Sequence, residues 1–364
     1  MESACVAWWL CLLAAIARAD ADEAVRPGSK VGNLENARAS DTKGYRFTVE
    51  STIGDILHHP AFAGFARLLL PWDDRTYDED LQLGRVGVLL PYHSHVDPPT
   101  VVRALNRMVD DVKNGEPIFF DFYTESAKTG QPAQSNTGLF FFRGKAGAPF
   151  AIISPGGGFS YVGSLHEGFP YAVEISRHGY NAFVLRYRAG HGGTAATRDL
   201  AAAISYVFRH ATALGVGTEG YSLWGSSAGA RMAAAIGSHG PSNFGGDVLP
   251  KPSTVVMAYT GHSDYSSPEP PTFVVVGEDD GIAPPAVMER RIAALRATGT
   301  EAEYHRYPGL GHGFGLGTGT RAEGWIDRAI RFWERAIKGR QRSSSGSPAT
   351  WATASATARR SGPR

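Results

Sequence analysis

The chain has 364 residues, of which 43% are hydrophobic and 20% charged, so it is long enough to bury a large core. Its net charge of +1 at pH 7 and the lack of a basic stripe argue against a nucleic acid partner. Both cysteines, Cys5 and Cys11, lie in the first apolar segment. The rest of the chain therefore has no thiolate nucleophile, disulfide or cysteine-ligated metal.

That first apolar segment runs from Val6 to Ala17 and reads VAWWLCLLAAIA. It is too short to span a bilayer, has the length of a signal-peptide core, and is followed by small residues at cleavage-site spacing. We therefore predict a signal peptide over residues 1–21 and export to the periplasm or the medium, although no Lys or Arg precedes the segment. The alternative is a cytoplasmic protein with a short apolar tail. No other segment predicts an integral membrane span.

Composition divides the remainder of the chain. Residues 22–44 are polar and aperiodic, which is typical of a linker, and residues 338–364 are rich in Ser, Ala, Thr and Arg, which is typical of a disordered tail. Residues 45–114 predict a partly helical N-terminal extension, and residues 115–337 predict the main domain on which it packs.

The main domain begins with two strand-like runs, Ile118–Tyr123 and Gly138–Phe142, which predict an antiparallel pair. Further predicted strands are Phe150–Ser154, Ala182–Tyr187, Tyr221–Trp224, Thr254–Tyr259, Phe273–Val276 and Glu303–Tyr307. Helical patterns alternate with them near residues 167–179, 200–211, 228–236 and 284–298, and a closing helix starts at the capping box Thr320-x-x-Glu323. This alternation predicts an α/β fold with a mostly parallel sheet and helices on both faces. Ligand sites in such sheets lie beyond the carboxyl ends of the strands.

The strongest motif is G-x-S-x-G over Gly225–Gly229, placed between a strand and an Ala-rich helix. A strand-to-helix turn this sharp needs small flanking residues and presents the central serine at a helix N-terminus. Ser227 is therefore the predicted nucleophile. Ser226 is the rival, but it stands off the central position.

A second loop, Pro155–Phe159, follows a strand with three consecutive glycines. Its open backbone N–H groups are typical of an oxyanion hole, and we predict Gly157 and Gly158 as donors, with Ala228 from the turn after the nucleophile. A phosphate-binding loop is disfavoured because no Lys-Ser/Thr follows and the glycine spacing is wrong.

Acid and base candidates follow the serine in the expected order. His312 lies in a glycine-rich loop after the last predicted strand and is the predicted base, while His305 lies within that strand. Asp280 is the predicted acid, because it lies three residues beyond Gly277 at the end of a strand. Asp279 and Glu278 remain alternatives.

Three stretches carry a family resemblance: PGGGFSYVGSLHEGFPYAVEISRHGYNAFVLRYR (Pro155–Arg188), GYSLWGSSAGARMAA, and GEDDGI with YPGLGHGFGLG. They resemble bacterial α/β-hydrolases of the acetyl-esterase and feruloyl-esterase-like group over roughly Thr52 to Ile337. The resemblance implies an α/β-hydrolase fold and carboxylesterase activity at the positions derived above. Related esterases often carry histidine before the glycines, and Pro155 at that place favours the feruloyl-esterase-like branch.

Other polar and aromatic residues near these loops are weaker candidates. Phe159, Tyr161, His166, Glu167 and Phe314 are predicted to line the substrate pocket, although aromatic residues of this kind are as often plain core. The segment His93-x-His95-x-Asp97 has metal-ligand residue types, but the prolines that follow favour a polar loop and helix cap, so no metal site is predicted.

Taken together, the residues predict a serine hydrolase that cleaves small acyl or aryl esters, including esters carried by a carbohydrate, and that needs no cofactor. A serine peptidase is the alternative of the same fold, although the extension is too short for the propeller that gates prolyl-oligopeptidase-type enzymes. A non-catalytic binding protein that retained the fold is the alternative of another class. The sequence carries no signal for the oligomeric state.

Overall fold

The computed structural model describes residues 45–345. The predicted signal peptide and linker lie outside the described residues, as do residues 346–364 of the predicted tail. None of the helices within 45–345 has the length and apolar character needed to cross a membrane.

A single sheet of eight strands organises the described chain, in the order β1-β2-β4-β3-β5-β6-β7-β8. The strands are β1 (Phe119–Phe120), β2 (Gly138–Phe142), β3 (Pro149–Ser154), β4 (Asn181–Arg186), β5 (Gly217–Ser226), β6 (Thr254–Ala258), β7 (Thr272–Gly277) and β8 (Ala302–Tyr307). Only the β1–β2 and β2–β4 pairs are antiparallel. Every pair from β4 to β8 is parallel, so the loops after these strands meet at one edge of the sheet.

Helices cover both faces of this sheet, as the strand–helix alternation predicted. The α-helices are α1 (Ile53–Leu57), α2 (Pro98–Lys113), α3 (Glu125–Gly130), α4 (Phe169–Arg177), α5 (Gly192–Arg209), α6 (Ala211–Leu214), α7 (Ala228–His239), α8 (Pro285–Ala297) and α9 (Trp325–Ser345). Helices α2, α4 and α9 pack on one face, and α5, α7 and α8 pack on the other. Because strand side chains alternate, Ile153 and Trp224 join the first core while Ile152 and Leu223 join the second.

The N-terminal extension shares the first of these cores. Val101, Leu105 and Met108 of α2 are buried in the same cluster as Phe140, a residue of β2. Apolar residues at this helical spacing bury one stripe of α2 against the sheet. Their burial ties the extension to the main domain, since a side chain of this size gains about 2 kcal/mol when fully removed from water.

Several element boundaries differ from the prediction. The run predicted as the strand Ile118–Tyr123 pairs only at Phe119 and Phe120, and the connection to β2 contains α3 and the 3₁₀ turn Pro132–Asn136. The nucleophile strand begins at Gly217, four residues before the predicted start.

The predicted capping box at the closing helix was wrong. Thr320 accepts from the N–H of Ala322, and Glu323 accepts from the N–H of Gly319, so both side chains close a turn. Gly324 then adopts a φ of +76°, and α9 begins only at Trp325. This helix continues to Ser345, into the segment that composition assigned to a disordered tail.

Candidate active site

Ser227 sits at the turn between β5 and α7 with φ 49° and ψ −115°. A non-glycine residue rarely adopts a positive φ, and such strain persists only where the surroundings enforce it. The N–H of Ser227 donates to the carbonyl of Ala258 at 2.8 Å, which anchors the turn to the neighbouring strand. The hydroxyl is thereby presented at the edge where the strands end.

The flanking glycines of the motif are required by close packing. A Cβ on Gly225 would lie 2.4 Å from the backbone of Gly229, and a Cβ on Gly229 would lie 1.8 Å from the carbonyl oxygen of Ser154. Both distances are far below van der Waals contact. The elbow therefore brings α7 against β3 at a distance that only glycine permits.

We expect Gly229→Ala to lower the free energy of unfolding by more than about 4 kcal/mol, because the added methyl collides with backbone that cannot move aside. Urea unfolding measures the change. Gly339→Ala is the matched control, since a Cβ there meets nothing within 4 Å and the position lies inside helix α9, where alanine is favoured by up to about 1 kcal/mol. A Gly229→Ala protein as stable as the wild type would refute this account of the elbow.

The structure brings the three predicted polar side chains into one hydrogen-bonded chain. His312 Nε2 lies 2.9 Å from the Oγ of Ser227, and His312 Nδ1 lies 2.8 Å from Oδ2 of Asp280. The other oxygen of Asp280 accepts from the N–H groups of Ile282 and Ala283 at 2.9 Å and 2.7 Å. Asp280 is thus held by its own loop with one oxygen aimed at the imidazole, which orients the ring towards the serine.

Of the rival acids and bases, Glu278 and His305 pair with other residues, and Asp279 faces solvent. The Glu278 carboxylate pairs with Arg306 at 2.6 Å, and Asp279 is exposed. His305 Nε2 lies 2.8 Å from its strand neighbour Glu303. The Oγ of Ser226, the rival nucleophile, is fully buried and donates to the hydroxyl of Tyr171 at 3.3 Å.

The glycine loop after β3 adopts backbone conformations that favour glycine, with φ of 128° at Gly157 and 62° at Gly158. Within residues 45–345, no backbone or side-chain acceptor takes the N–H of Gly157, Gly158 or Ala228. A Cβ on Gly156 would lie 3.0 Å from the Cβ of Ser227, so the loop passes at contact distance from the predicted nucleophile. Unpaired N–H groups beside a nucleophile are the donors that an oxyanion requires.

Of the residues predicted to line the pocket, Phe159 alone is partly exposed. Tyr161 and Phe314 are fully buried, and Phe314 packs against Tyr259 and Tyr307. The prediction for these two residues was wrong, because their rings fill the core beneath the loops and present no surface to a ligand.

The same correction applies to His166 and Glu167. Both side chains are buried, in a π-helical turn (Ser164–Gly168) under the oxyanion loop. His166 Nε2 donates to the carbonyl of Gly313 at 2.9 Å, and the Glu167 carboxylate accepts from the N–H of Gly156 at 2.5 Å. They support the glycine loop after β3 and the loop of His312 from below.

A segment of the N-terminal extension, Tyr92–Ser94, contacts both the glycine loop after β3 and the loop of His312, and the sequence did not identify these contacts. The Ser94 hydroxyl donates to the carbonyl of His312 at 2.7 Å, and its N–H donates to the carbonyl of Gly313 at 3.0 Å. The ring of Tyr92 lies against Gly158, where an added Cβ would meet it at 3.0 Å. Tyr92 is 44% exposed. The His-x-His motif was the only signal in this segment.

That motif does not form a metal site in the described part of the chain. No group of three or more His, Cys, Asp or Glu side chains within 45–345 is placed to hold a metal ion. His93 instead turns inward to the Glu167 carboxylate, with Nε2 at 3.0 Å from Oε1, while His95 is exposed.

Burial and neighbouring charges shift the pKa values of Glu167 and His166. Burial alone would raise the pKa of Glu167, but the neighbouring His93 and the hydrogen bonds to the carboxylate lower it to about 2. Burial, followed by the adjacent His93, lowers the pKa of His166 to about 4. Near neutral pH, Glu167 is therefore ionised and His166 is neutral.

We expect His166 to make the protein less stable as the pH falls from 6.5 to 4.5. Its pKa in the folded state, about 4, lies below that of an unfolded histidine, so the unfolded chain alone takes up the proton in this window. The loss over this window is about 2 kcal/mol, because the free energy of unfolding falls by at most about 1.4 kcal/mol per pH unit and by less near each pKa. Glu167 contributes below this window, because its carboxyl protonates only between about pH 4.5 and 2 in the two states.

Urea unfolding of the wild type and His166→Gln at pH 7, 5.5 and 4.5 measures the contribution of His166. It is the difference between the two proteins in how the free energy of unfolding changes with pH. His262, whose pKa burial also lowers to about 4, contributes equally to both proteins. An equal pH dependence in the two proteins would show that His166 has the same pKa in the folded and unfolded states.

Beside the oxyanion loop lies a surface pocket of about 320 Å³. Ser160, two residues beyond Gly158, forms one wall, and the N–H of Gly190 in another wall donates to the carbonyl of Phe159 at 2.7 Å. The remaining polar lining comprises Asp73, Asp74, Asn136, Arg188 and His191. Ion pairs to Arg186 and Asp199 occupy Asp73 and Arg188, so Asp74, Asn136, Ser160 and His191 are the exposed groups at this pocket.

Two family matches divide the main domain between them. The family described as BD-FAE matches residues 143–253, which contain the glycine loop after β3 and Ser227. The prolyl oligopeptidase family matches residues 257–340, which contain Asp280 and His312. A curated acetylxylan esterase from Xylanibacter ruminicola is 25% identical over 220 residues, covering 51% of this chain and 45% of that protein. The chain thus spans under half the length of this relative.

Solved structures with a similar fold include MGS-M1, an α/β hydrolase from a Medee basin deep-sea metagenome library, at 22% identity and a TM-score of 0.47. The match covers 56% of this chain and 93% of that one. An acetyl ester-xyloside bifunctional hydrolase from Caldicellulosiruptor lactoaceticus is 21% identical with a TM-score of 0.45, covering 57% and 88% of the two chains.

Proposed function

We propose that the chain is an esterase-like α/β hydrolase that cleaves carboxylic esters with Ser227 as nucleophile. The observation that carries the proposal is the hydrogen-bonded chain from Ser227 through His312 to Asp280. It lies beside N–H groups that no other atom of the described chain occupies. A nucleophile, an oriented base and oxyanion donors are the three parts that acyl transfer requires.

In the proposed reaction, His312 Nε2 takes the proton of Ser227 as Oγ attacks the ester carbonyl. The N–H groups of Gly157, Gly158 and Ala228 stabilise the oxyanion that forms, each well-placed donor contributing about 3 kcal/mol. His312 then protonates the departing alcohol, which leaves an acyl-enzyme on Ser227. Water, activated by the same imidazole, hydrolyses the acyl-enzyme, while Asp280 holds the imidazole tautomer throughout.

The surroundings of the site favour an ester of a hydroxyl-rich alcohol. The pocket beside Ser160 presents a carboxylate, an amide, a hydroxyl and an imidazole, which are hydrogen-bonding partners suited to the hydroxyls of a sugar. The exposed ring of Tyr92 lies on the rim at Gly158, where it offers an apolar surface to a sugar or aryl ring. A carbohydrate ester fits both features.

Hydrolysis of p-nitrophenyl acetate, butyrate and octanoate, methyl ferulate and acetylated xylo-oligosaccharides tests the proposal. We expect turnover of the short acyl esters and covalent labelling of Ser227 by an organophosphonate, located by mass spectrometry. Folded protein that hydrolyses none of these esters and resists the label would favour the non-catalytic binding role. Labelling with turnover of peptide substrates alone would favour the serine peptidase.

The contribution of the pocket is tested by Ser160→Trp, which fills it from an exposed position. We expect KM for acetylated xylo-oligosaccharides to rise by about tenfold or more, because loss of sugar contacts worth 1.4 kcal/mol changes affinity by that factor. KM for ethyl acetate should change by less than about twofold, and Ser160→Ala is the control for loss of the hydroxyl alone. An equal rise in KM for both esters would show that the alcohol part of the substrate binds outside this pocket.

A further inference from the structure

Beneath the oxyanion loop lies a buried carboxylate with no direct part in the proposed reaction. Glu167 accepts from three separate parts of the chain. The N–H of Gly156 donates to Oε2 at 2.5 Å, and the hydroxyl of Tyr259 donates to Oε1 at 2.7 Å. His93 Nε2 lies 3.0 Å from the same Oε1 and must be the donor, because an ionised carboxylate only accepts.

The partner His93 belongs to the N-terminal extension, and its side chain is only 1% exposed. Its Nδ1 lies 2.9 Å from the hydroxyl of Tyr161, and that hydroxyl accepts from the N–H of Tyr92 at 3.0 Å. The next residue, Ser94, bonds to the backbone of His312 and Gly313. His93 is therefore fixed in place between the two catalytic loops.

The partner Tyr259 reaches the histidine loop from the other side. Its ring lies edge-on to the His312 imidazole with centroids 5.2 Å apart, and its hydroxyl accepts from the N–H of Gly315 at 3.3 Å. Glu167 thus connects the oxyanion loop to the loop of the catalytic base through contacts on both sides of its carboxylate.

From this arrangement we propose that Glu167 and His93 are positioning residues that hold the oxyanion loop in register with His312, so that the N-terminal extension completes the active site. The inference rests on the proposed function, because it assigns the pair a role in that reaction. The loop is sensitive to displacement, since Gly156 lies at contact distance from Ser227. A shift of about 1 Å in such a site lowers turnover by about 10²-fold.

Glu167→Ala and Glu167→Gln test the proposal through steady-state kinetics. We expect Ala to lower kcat about 100-fold with KM within about threefold, because oxyanion donors act mainly in the transition state. Glutamine keeps one oxygen for the N–H of Gly156, and its NH₂ can donate to His93 Nε2 once that imidazole carries its proton on Nδ1, which then donates to the hydroxyl of Tyr161. It should therefore recover at least tenfold of that loss. Turnover is expressed per active site titrated with an organophosphonate, so that unfolded protein does not contribute.

Glu269→Gln is the matched control. Glu269 is also buried and also paired, with Arg291 at 3.4 Å and the N–H of Ser266 at 2.7 Å, but none of these partners belongs to the catalytic loops. We expect Glu269→Gln to lower Tm about as much as Glu167→Ala does, while its kcat stays within about threefold of the wild type. If Glu167→Ala and Glu269→Gln lower kcat equally, or if Gln at 167 is no better than Ala, the proposal is overturned.

Two further measurements keep the test decisive. If Glu167→Ala does not fold, His93→Leu and His93→Gln replace it, and Leu should lower kcat at least tenfold more than Gln, which retains an amide donor at the Nε2 position. Equal kcat in His93→Leu and His93→Gln would refute the proposed role of the His93–Glu167 pair. Hydrogen exchange of the Gly156 amide needs no substrate, so it remains informative even if every ester assay fails. Glu167→Ala should speed this exchange at least tenfold and Glu269→Gln should not, and unchanged exchange would refute the positioning role.

Discussion

Ser227→Ala is expected to lower kcat for ester hydrolysis by about 10⁶-fold, the loss typical of removing the nucleophile from a triad that acts as a unit. The fold should persist, because backbone contacts of Gly229 and Ala258 hold the strained turn at φ 49°. The Ser227 hydroxyl takes no part in these contacts. Purified wild type and variant are compared on p-nitrophenyl acetate, with far-UV circular dichroism and Tm as evidence of folding.

The neighbouring serine provides the control for this result. Ser226→Ala removes only a 3.3 Å hydrogen bond to Tyr171 and should retain kcat within about tenfold. The residual rate of Ser227→Ala should still exceed the rate in water, because the oxyanion donors remain. Near-wild-type turnover in Ser227→Ala, or its loss in Ser226→Ala alone, would assign the nucleophile to another residue.

Asp280→Asn is expected to lower kcat by about 10⁴-fold with little change in stability. The N–H groups of Ile282 and Ala283 require an acceptor, so they hold the amide oxygen of the asparagine and turn its NH₂ towards His312 Nδ1. An NH₂ group can only donate, so Nδ1 must give up its proton and Nε2 must carry one. A protonated Nε2 cannot accept the proton of Ser227, and general-base catalysis is lost.

The two carboxylates beside Asp280 allow a matched comparison. Asp279→Asn changes an exposed side chain, and Glu278→Gln weakens a surface pair with Arg306, so both should keep kcat within about twofold. The wild type and the three variants are compared by kcat and by urea unfolding. A large loss in Asp279→Asn with normal turnover in Asp280→Asn would reassign the acid.

The sequence predicted the α/β fold because its signals are local. Strands buried on both faces appear as short apolar runs, and the turn at Ser227 needs glycine where backbone packs on backbone. The order of serine, acid and histidine, each after a strand, placed them at one edge of a parallel sheet before any contact was known. Their catalytic roles remain predictions until the variants are measured.

Element ends were less predictable, since competing local interactions decide them. Thr320 and Glu323 have the composition of a capping box, yet Gly324 interrupts the backbone between them and the helix. The sheet likewise pairs only two residues of an apolar run that alone would favour a longer strand.

Burial and long-range pairing were decided by the tertiary structure alone. Tyr161, Glu167 and Phe314 neighbour the catalytic loops in sequence and were predicted to face the substrate, but the chain turns them into the core. His93 pairs with Glu167 across 74 positions of sequence, and neither residue carries a local sign of the other. Periodicity and spacing determine which residues share a strand, a helix face or a loop. Which segment then packs against a given loop depends on contacts between distant parts of the chain. Here the N-terminal extension packs against the oxyanion loop and the loop of His312.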